Sequence, residues 1–74
     1  MRVWIDQELC TGDGLCQELA EAVFEMHDDG LAYVCEGGRV LLGVGARARV
    51  PAGLEDRVRD AAERCPAECI FLDD

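Results

Sequence analysis

The 74-residue chain has no lysine and no serine, a single histidine, two prolines and only four aromatic residues, Trp4, Phe24, Tyr33 and Phe71. Each scarcity removes a class of protein. With no serine and with His27 lacking any companion at a polar turn, neither a Ser/His/Asp nor a Cys/His constellation is present, so the chain carries no nucleophilic apparatus and is not read as an enzyme. The few aromatics make a thin core for one small domain, and chains this short commonly rely on a metal or disulfide staple. No apolar run approaches the length of a membrane span. The opening Met1-Arg2-Val3-Trp4-Ile5-Asp6 lacks the apolar stretch of a secretory leader, and the protein is expected in the cytoplasm. There, cysteines more often serve metal or redox chemistry than structural disulfides. Five of them cannot all pair within one chain.

The formal charge is −9, unevenly placed. Residues 1–36 hold nine acids and one base, Arg2, for a net −8, whereas residues 37–74 hold seven acids and six arginines, for −1. A nucleic-acid partner would be repelled, and a docking partner should present a positive surface. The same acidity also keeps a small protein soluble, which is the plainer reading of it.

Along the chain, Arg2–Ile5 alternates, Val3 and Ile5 on one side and Arg2 and Trp4 on the other, which predicts a short strand. Gly12 and Gly14 flank Asp13; alone this is ordinary turn chemistry. The stretch 16–25 reads as a helix with Leu15, Leu19, Ala22 and Val23 on one stripe and Glu18, Glu21 and Glu25 on another. Like charges at that spacing weaken a helix slightly, so the acidic stripe is either a docking face or a solvated one. Phe24-Glu25-Met26 and Ala32-Tyr33-Val34 predict two small strands around His27-Asp28-Asp29-Gly30, which leaves His27 a surface residue rather than a ligand. Residues 37–53 carry five glycines, three arginines and no acid. Val40-Leu41-Leu42 and Val44 suggest an extended piece turning near Gly43-Val44-Gly45, and the expectation is a solvent-exposed insertion. Leu54–Arg64 predicts a second helix with Leu54, Val58, Ala61 and Ala62 inward. Pro66 should end it, because the residue before a proline avoids helical geometry, and this places Cys65 at the helix terminus. Ile70-Phe71-Leu72 is a last strand, expected to pair with Val3–Ile5.

The cysteines carry the sharpest signal. Thiolates bind soft metals and iron–sulfur clusters. A bacterial ferredoxin run reads C-x2-C-x2-C-x3-C-P, its last cysteine serving a second cluster. Laid on Cys10-Thr11-Gly12-Asp13-Gly14-Leu15-Cys16, its first and third cysteines match Cys10 and Cys16, and the middle one falls on Asp13. Its Cys-Pro step falls on Ala20-Glu21. Run backwards from Cys65-Pro66, its three cysteines fall on Glu55, Val58 and Ala61. The second cluster has thus lost every ligand, while the first keeps Cys10, Cys16 and the remote Cys65. On these residues the chain resembles the small single-cluster ferredoxins of bacterial type, in particular those with three cysteines and a non-cysteine middle residue. The likeness covers roughly residues 1–36 and 54–74.

What the resemblance implies is definite. The fold should be α+β and ferredoxin-like, a pseudo-two-fold β-α-β repeat around one cluster, with residues 1–74 as a single domain carrying an insertion at about 37–53. Cys10, Cys16 and Cys65 should hold the cluster, and Gly12 and Gly14 would let backbone N–H groups approach its sulfides. Three thiolates suit a 3Fe-4S cluster, in which one corner of the cube has no iron. Asp13 stands at that corner, and as a hard ligand it would hold a fourth iron labilely, giving a 4Fe-4S cluster under reducing conditions. Relatives with this pattern commonly pass single electrons from an NAD(P)H-dependent ferredoxin reductase to a haem-thiolate monooxygenase of the cytochrome P-450 class, and the carrier is expected to act as a monomer. Cys69, four residues after Cys65, reads as a small buried hydrophobe near the cluster. Some single-cluster relatives replace the lost cluster by a disulfide; here the pair would be Cys35 with Cys69, although one partner in those relatives falls at Ala20. The alternative to an electron carrier is a structural zinc module. Zinc sites favour C-x2–4-C pairs and four Cys or His ligands, a pattern that C-x5-C and a distant His27 do not provide.

Overall fold

A computed structural model describes every residue except Thr11, Asp13, Val44 and Asp74. Two helices and six short strands follow in the order β1 (Arg2–Ile5), α1 (Leu15–Leu19), β2 (Phe24–Met26), β3 (Ala32–Glu36), β4 (Arg39–Val40), β5 (Ala48–Arg49), α2 (Glu55–Arg64) and β6 (Ile70–Asp73). They form two antiparallel three-stranded sheets, ordered β5-β1-β6 and β2-β3-β4. Each half of the chain contributes a strand, a helix and a strand, and each sheet joins strands of both halves. This is the two-fold α+β plan expected from the sequence.

The alternation in β1 does what its period requires. Val3 and Ile5 are buried, while Trp4 stands on the other face opposite Phe71 in the register Val3↔Leu72, Trp4↔Phe71, Ile5↔Ile70. The Trp4 and Phe71 rings stack with centroids 6.0 Å apart, and the Arg47 guanidinium lies 4.1 Å over the Trp4 ring. Inside, Val3, Ile5, Val23, Phe24, Val34 and Val58 are the most enclosed large side chains, and Cys16, Cys65 and Cys69 complete the same apolar cluster. The two helices pack on each other within it.

The first helix is shorter than its sequence stripe suggests, ending at Leu19 rather than continuing to residue 25. Ala20 leaves the helical region at φ −147°, ψ 66°, and its carbonyl then receives N–H groups from Val23 and Phe24. Phe24–Met26 instead pairs with β3 in the register Phe24↔Val34, a tertiary pairing that outweighs local helical pattern. Only Glu18 of the three glutamates therefore sits on α1; Glu21 lies in the following turn and Glu25 in β2, all three exposed.

The second helix matches its pattern. Val58 and Ala61 face inward, Gly53 N–H donates to the Glu55 carboxylate at 2.8 Å, and Arg64 reaches Asp60 at 2.8 Å one turn back. Cys65 is its C-cap in extended geometry at ψ 115°, as Pro66 demands.

Residues 37–53 are not simply an exposed insertion. Arg39–Val40 hydrogen-bonds to β3 in the second sheet, and Ala48–Arg49 pairs with β1 in the first. Ala48 and Val50 lie fully within the core. A turn does occur near Gly43, where Ala46 N–H donates to its carbonyl at 3.0 Å, but the arms on either side join different sheets rather than each other. Val44, expected in that turn, lies outside the described residues.

Candidate metal centre

Four of the five cysteines lie in or against one apolar cluster. Cys10 ends the loop leaving β1 and is half-buried; Cys16 is buried on α1; Cys65 caps α2; and Cys69 precedes β6 at 2% exposure. Elements remote in sequence meet here because α1 packs on α2 while β1 pairs with β6. The Cys65 and Cys69 sulfurs are 3.6 Å apart. Burial pushes the Cys69 thiol well above its ordinary range, and hydrogen-bond and charge interactions with Cys65 and Cys10 push it the same way. Cys69 is thus a neighbour of Cys65, and Cys10 packs against the same apolar cluster that contains Cys16, Cys65 and Cys69. Asp13, the expected occupant of the fourth corner, lies outside the described residues.

The loop between Cys10 and Cys16 is shaped by its glycines. Gly12 and Gly14 have φ of +75° and +77°, a region that L side chains enter only at a cost. At Gly12 a Cβ would stand 2.2 Å from the Gly30 carbonyl oxygen, so the β2–β3 turn seats directly on the cysteine loop. That turn is itself held. Tyr33 O–H donates to one oxygen of the Asp29 carboxylate and Leu31 N–H donates to the other at 2.9 Å, while Gly30 N–H donates to the His27 carbonyl and His27 N–H to the Leu31 carbonyl, each at 2.9 Å. The Tyr33 hydrogen bond, followed by that from Leu31, holds the Asp29 carboxyl below its ordinary value. The same bond, reinforced by burial and by negative charge at Asp29 and Cys10, raises the Tyr33 phenol. His27 is exposed, its ring edge-on to Tyr33 at 5.6 Å.

A second tie reaches from the other side. Gln7 donates to the Ala32 carbonyl at 3.3 Å and accepts from Gly45 N–H at 3.2 Å, linking the approach to Cys10 with β3 and with the glycine-rich stretch. These ties rest on single side chains without a periodic signature, and sequence pattern does not register them. The proximity of Cys69 to Cys65 is different: the four-residue spacing signalled it, but the reading as an apolar filler missed the sulfur contact.

Cys35 stands apart. It is buried on β3, lining a recess of about 310 Å³ with Gln17, Glu21 and Glu25, and burial, then the Glu25 charge, raise its thiol. Neither Cys35 nor Cys69 is in a disulfide, so the pairing of the two is not formed. The zinc module also finds no support: among the described residues no three Cys, His, Asp or Glu side chains gather around a point where one ion could bind. A multi-iron cluster makes a different demand, since each thiolate binds its own iron and the donors surround the cluster. Soft sulfur donors, mostly buried, beside a glycine-shaped loop fit such a group.

Comparison with known proteins agrees. Residues 3–72 match the family model described as 4Fe-4S single cluster domain. The chain is 38% identical to ferredoxin-2 of Streptomyces griseolus over 74 residues, covering all of both chains. It is 35% identical over 71 residues to a ferredoxin of Moorella thermoacetica, covering 95% of each. Among solved structures, a 3Fe-4S ferredoxin associated with CYP194A4 from R. palustris HaA2 superposes with a TM-score of 0.81 at 28% identity, covering 100% of this chain and 98% of that one.

Proposed function

The chain belongs to the 4Fe-4S single cluster domain family, the single-cluster ferredoxins, which are electron carriers rather than enzymes, and we propose that it carries electrons one at a time from an NAD(P)H-dependent ferredoxin reductase to a cytochrome P-450 monooxygenase in the cytoplasm. The route is supported by the description of a solved neighbour as associated with such a monooxygenase. When bound, the cluster supplies a one-electron couple. The protein's own part is to hold it through Cys10, Cys16 and Cys65, to exclude water with the apolar cluster around α1 and α2, and to keep a glycine-lined edge where a partner can approach.

The observation that supports the ligand assignment is that Cys10, 55 positions before Cys65 in the sequence, packs against the apolar cluster that contains Cys16, Cys65 and Cys69. The resident group under this reading is a 3Fe-4S cluster, because Asp13 stands where the template places a cysteine; with Asp13 as a hard fourth ligand the site takes up a further iron when reduced. In the 3Fe form Asp13 is an unligated carboxylate beside the cluster, and its negative charge lowers the potential. The test is iron and sulfide counting with electron paramagnetic resonance on anaerobically purified protein. The wild type should show the 3Fe signature and gain a fourth iron when a chemical reductant such as dithionite reduces it in the presence of ferrous iron. Asp13→Cys should hold four irons stably, and Asp13→Ala should stay at three. Four stable irons in the alanine variant would show that Asp13 is not the corner ligand.

A further inference from the structure

We propose that the Cys69 thiol donates a hydrogen bond to the cysteine sulfurs that hold the cluster, Cys65 foremost, and thereby raises the reduction potential. The inference rests on the ligand assignment of the preceding subsection and concerns a residue outside that ligand set.

The geometry begins in the backbone. Between Cys65 and Cys69 the chain makes a tight turn closed by Glu68 N–H donating to the Cys65 carbonyl at 3.1 Å. Glu68 has φ +51°, the one non-glycine residue of positive φ among those described. Backbone strain of that kind persists where the surroundings over-determine it, and it clusters at functional sites. Its effect here is to fold the next residue back toward the helix end. On the other side, Asp6 N–H donates to the Cys69 carbonyl at 2.9 Å, which fastens Cys69 to the end of β1. Clamped from both sides, the Cys69 sulfur lies 3.6 Å from that of Cys65, inside the apolar cluster and at 2% exposure.

In a pair of free thiols either sulfur could be the donor. Once Cys65 is an iron-bound thiolate it has no proton, so Cys69 alone can donate. An apolar enclosure favours the neutral S–H over a second thiolate. Cys69 is not itself placed to be a fourth ligand, because a sulfur in contact with one ligand sulfur shares that corner of the cluster instead of reaching another. A donor to a cluster sulfur stabilises the more negative, reduced state, and hydrogen bonds to the sulfurs are among the groups that set the potential. The S–H group is a weak donor, so the shift is smaller than a backbone N–H would give, but burial leaves it without competition from water.

The test is the midpoint potential of the cluster-loaded protein, with the resonance Raman iron–thiolate stretches of samples assembled in H2O and in D2O. Cys69→Ala and Cys69→Val remove the donor while differing in size, and both should move the potential to more negative values with the cluster type unchanged. Cys69→Ser keeps a donor and should stay at or above the wild type. The deuterium sensitivity of the iron–thiolate stretches should be reduced in Ala and Val but kept in Ser. Cys35→Ala is the control and should leave both readings where they were. Potentials that follow side-chain volume instead of donor content, or an unchanged potential and deuterium shift in Cys69→Ala, would make Cys69 an apolar filler and overturn the proposal. Cys65→Ala run alongside keeps the two readings distinct. Loss of the visible band there supports the ligand set and leaves the Cys69 result to be judged alone. Retention, in Cys65→Ala and in Cys65→Ala/Cys69→Ala, overturns the ligand set itself.

Discussion

Replacing Gly12 by alanine should be the most damaging single-methyl change in the loop. Two costs combine. At φ +75° an L residue forfeits about 1–2 kcal/mol. The added Cβ would also stand 2.2 Å from the Gly30 carbonyl oxygen, which is backbone and cannot rotate aside, and forcing such contacts apart costs about 1–3 kcal/mol. The expected loss is therefore about 2–5 kcal/mol, against a total of about 4–11 kcal/mol for a chain of this size at roughly 0.05–0.15 kcal/mol per residue. Gly30→Ala and Gly38→Ala separate the two costs, because at φ +81° and +80° they share the strained conformation but a Cβ there meets nothing within 4 Å. The assay is the temperature at which the visible charge-transfer band disappears at one fixed scan rate, since cluster loss is irreversible and the midpoint is a kinetic quantity. The excess of about 1–3 kcal/mol for Gly12→Ala should place its midpoint below those of the two controls at the same scan rate. A Gly12→Ala protein that loses its band at the controls' temperature would refute the reasoning and show that the β2–β3 turn does not seat on the loop.

Further outcomes are expected. Cys10→Ala, Cys16→Ala and Cys65→Ala should each assemble little or no cluster and lose much of the fold, because metal-binding free energy is folding free energy in so small a domain, whereas Cys35→Ser should keep full colour. Visible absorbance and circular dichroism read both. Reversing the exposed Glu18 and Glu21 to lysine should slow electron transfer to a reductase or monooxygenase with a basic face, and salt should slow the wild type likewise, since both weaken one long-range attraction. Rates indifferent to salt and to reversal would move docking elsewhere, first to Arg39, Arg47 and Arg49. Because its hydrogen bond from Tyr33 depresses the Asp29 carboxyl, that contact stabilises the turn fully above the ordinary carboxylate range and is lost as pH falls through the depressed value. Cluster release compared between wild type and Asp29→Asn across the acid range should show the difference shrinking toward low pH.

Most of the regular structure was legible where side chains follow a period. Val3 and Ile5 against Trp4, and Val58 and Ala61 against the charged face of α2, mark their elements without outside help. Pro66 fixes the end of α2 by a purely local constraint, which is why Cys65 could be placed at the helix terminus. The first helix was overdrawn because its stripe continues through Val23, while the pairing of Phe24 with Val34 that claims those residues is a long-range contact. Residues 37–53 were opaque for the same reason: β4 and β5 have two residues each, too few to show alternation, and their partners lie in different sheets. At the site, cysteine spacing reached the proposed ligands Cys10, Cys16 and Cys65, but the seat of Gly30 on Gly12 and the sulfur contact of Cys69 follow from turns whose course no spacing encodes.

The stretch between β3 and α2 has a mechanical consequence. It leaves the second sheet through β4 and enters the first through β5. Arg49 N–H donates to the Glu36 carboxylate at 2.5 Å, and Val50 N–H to the Met1 carbonyl at 3.0 Å. The stretch therefore acts as a belt buckled to both sheets, which also share one apolar core. Peeling β1 from its sheet strips β5 from it and pulls on the fastening at Glu36; opening β3 frees β4 and slackens the same belt. Excursions that expose one sheet are coupled to the other, so the two do not form separate cooperative units and the lowest-energy opening that bares the core is close to unfolding of the whole.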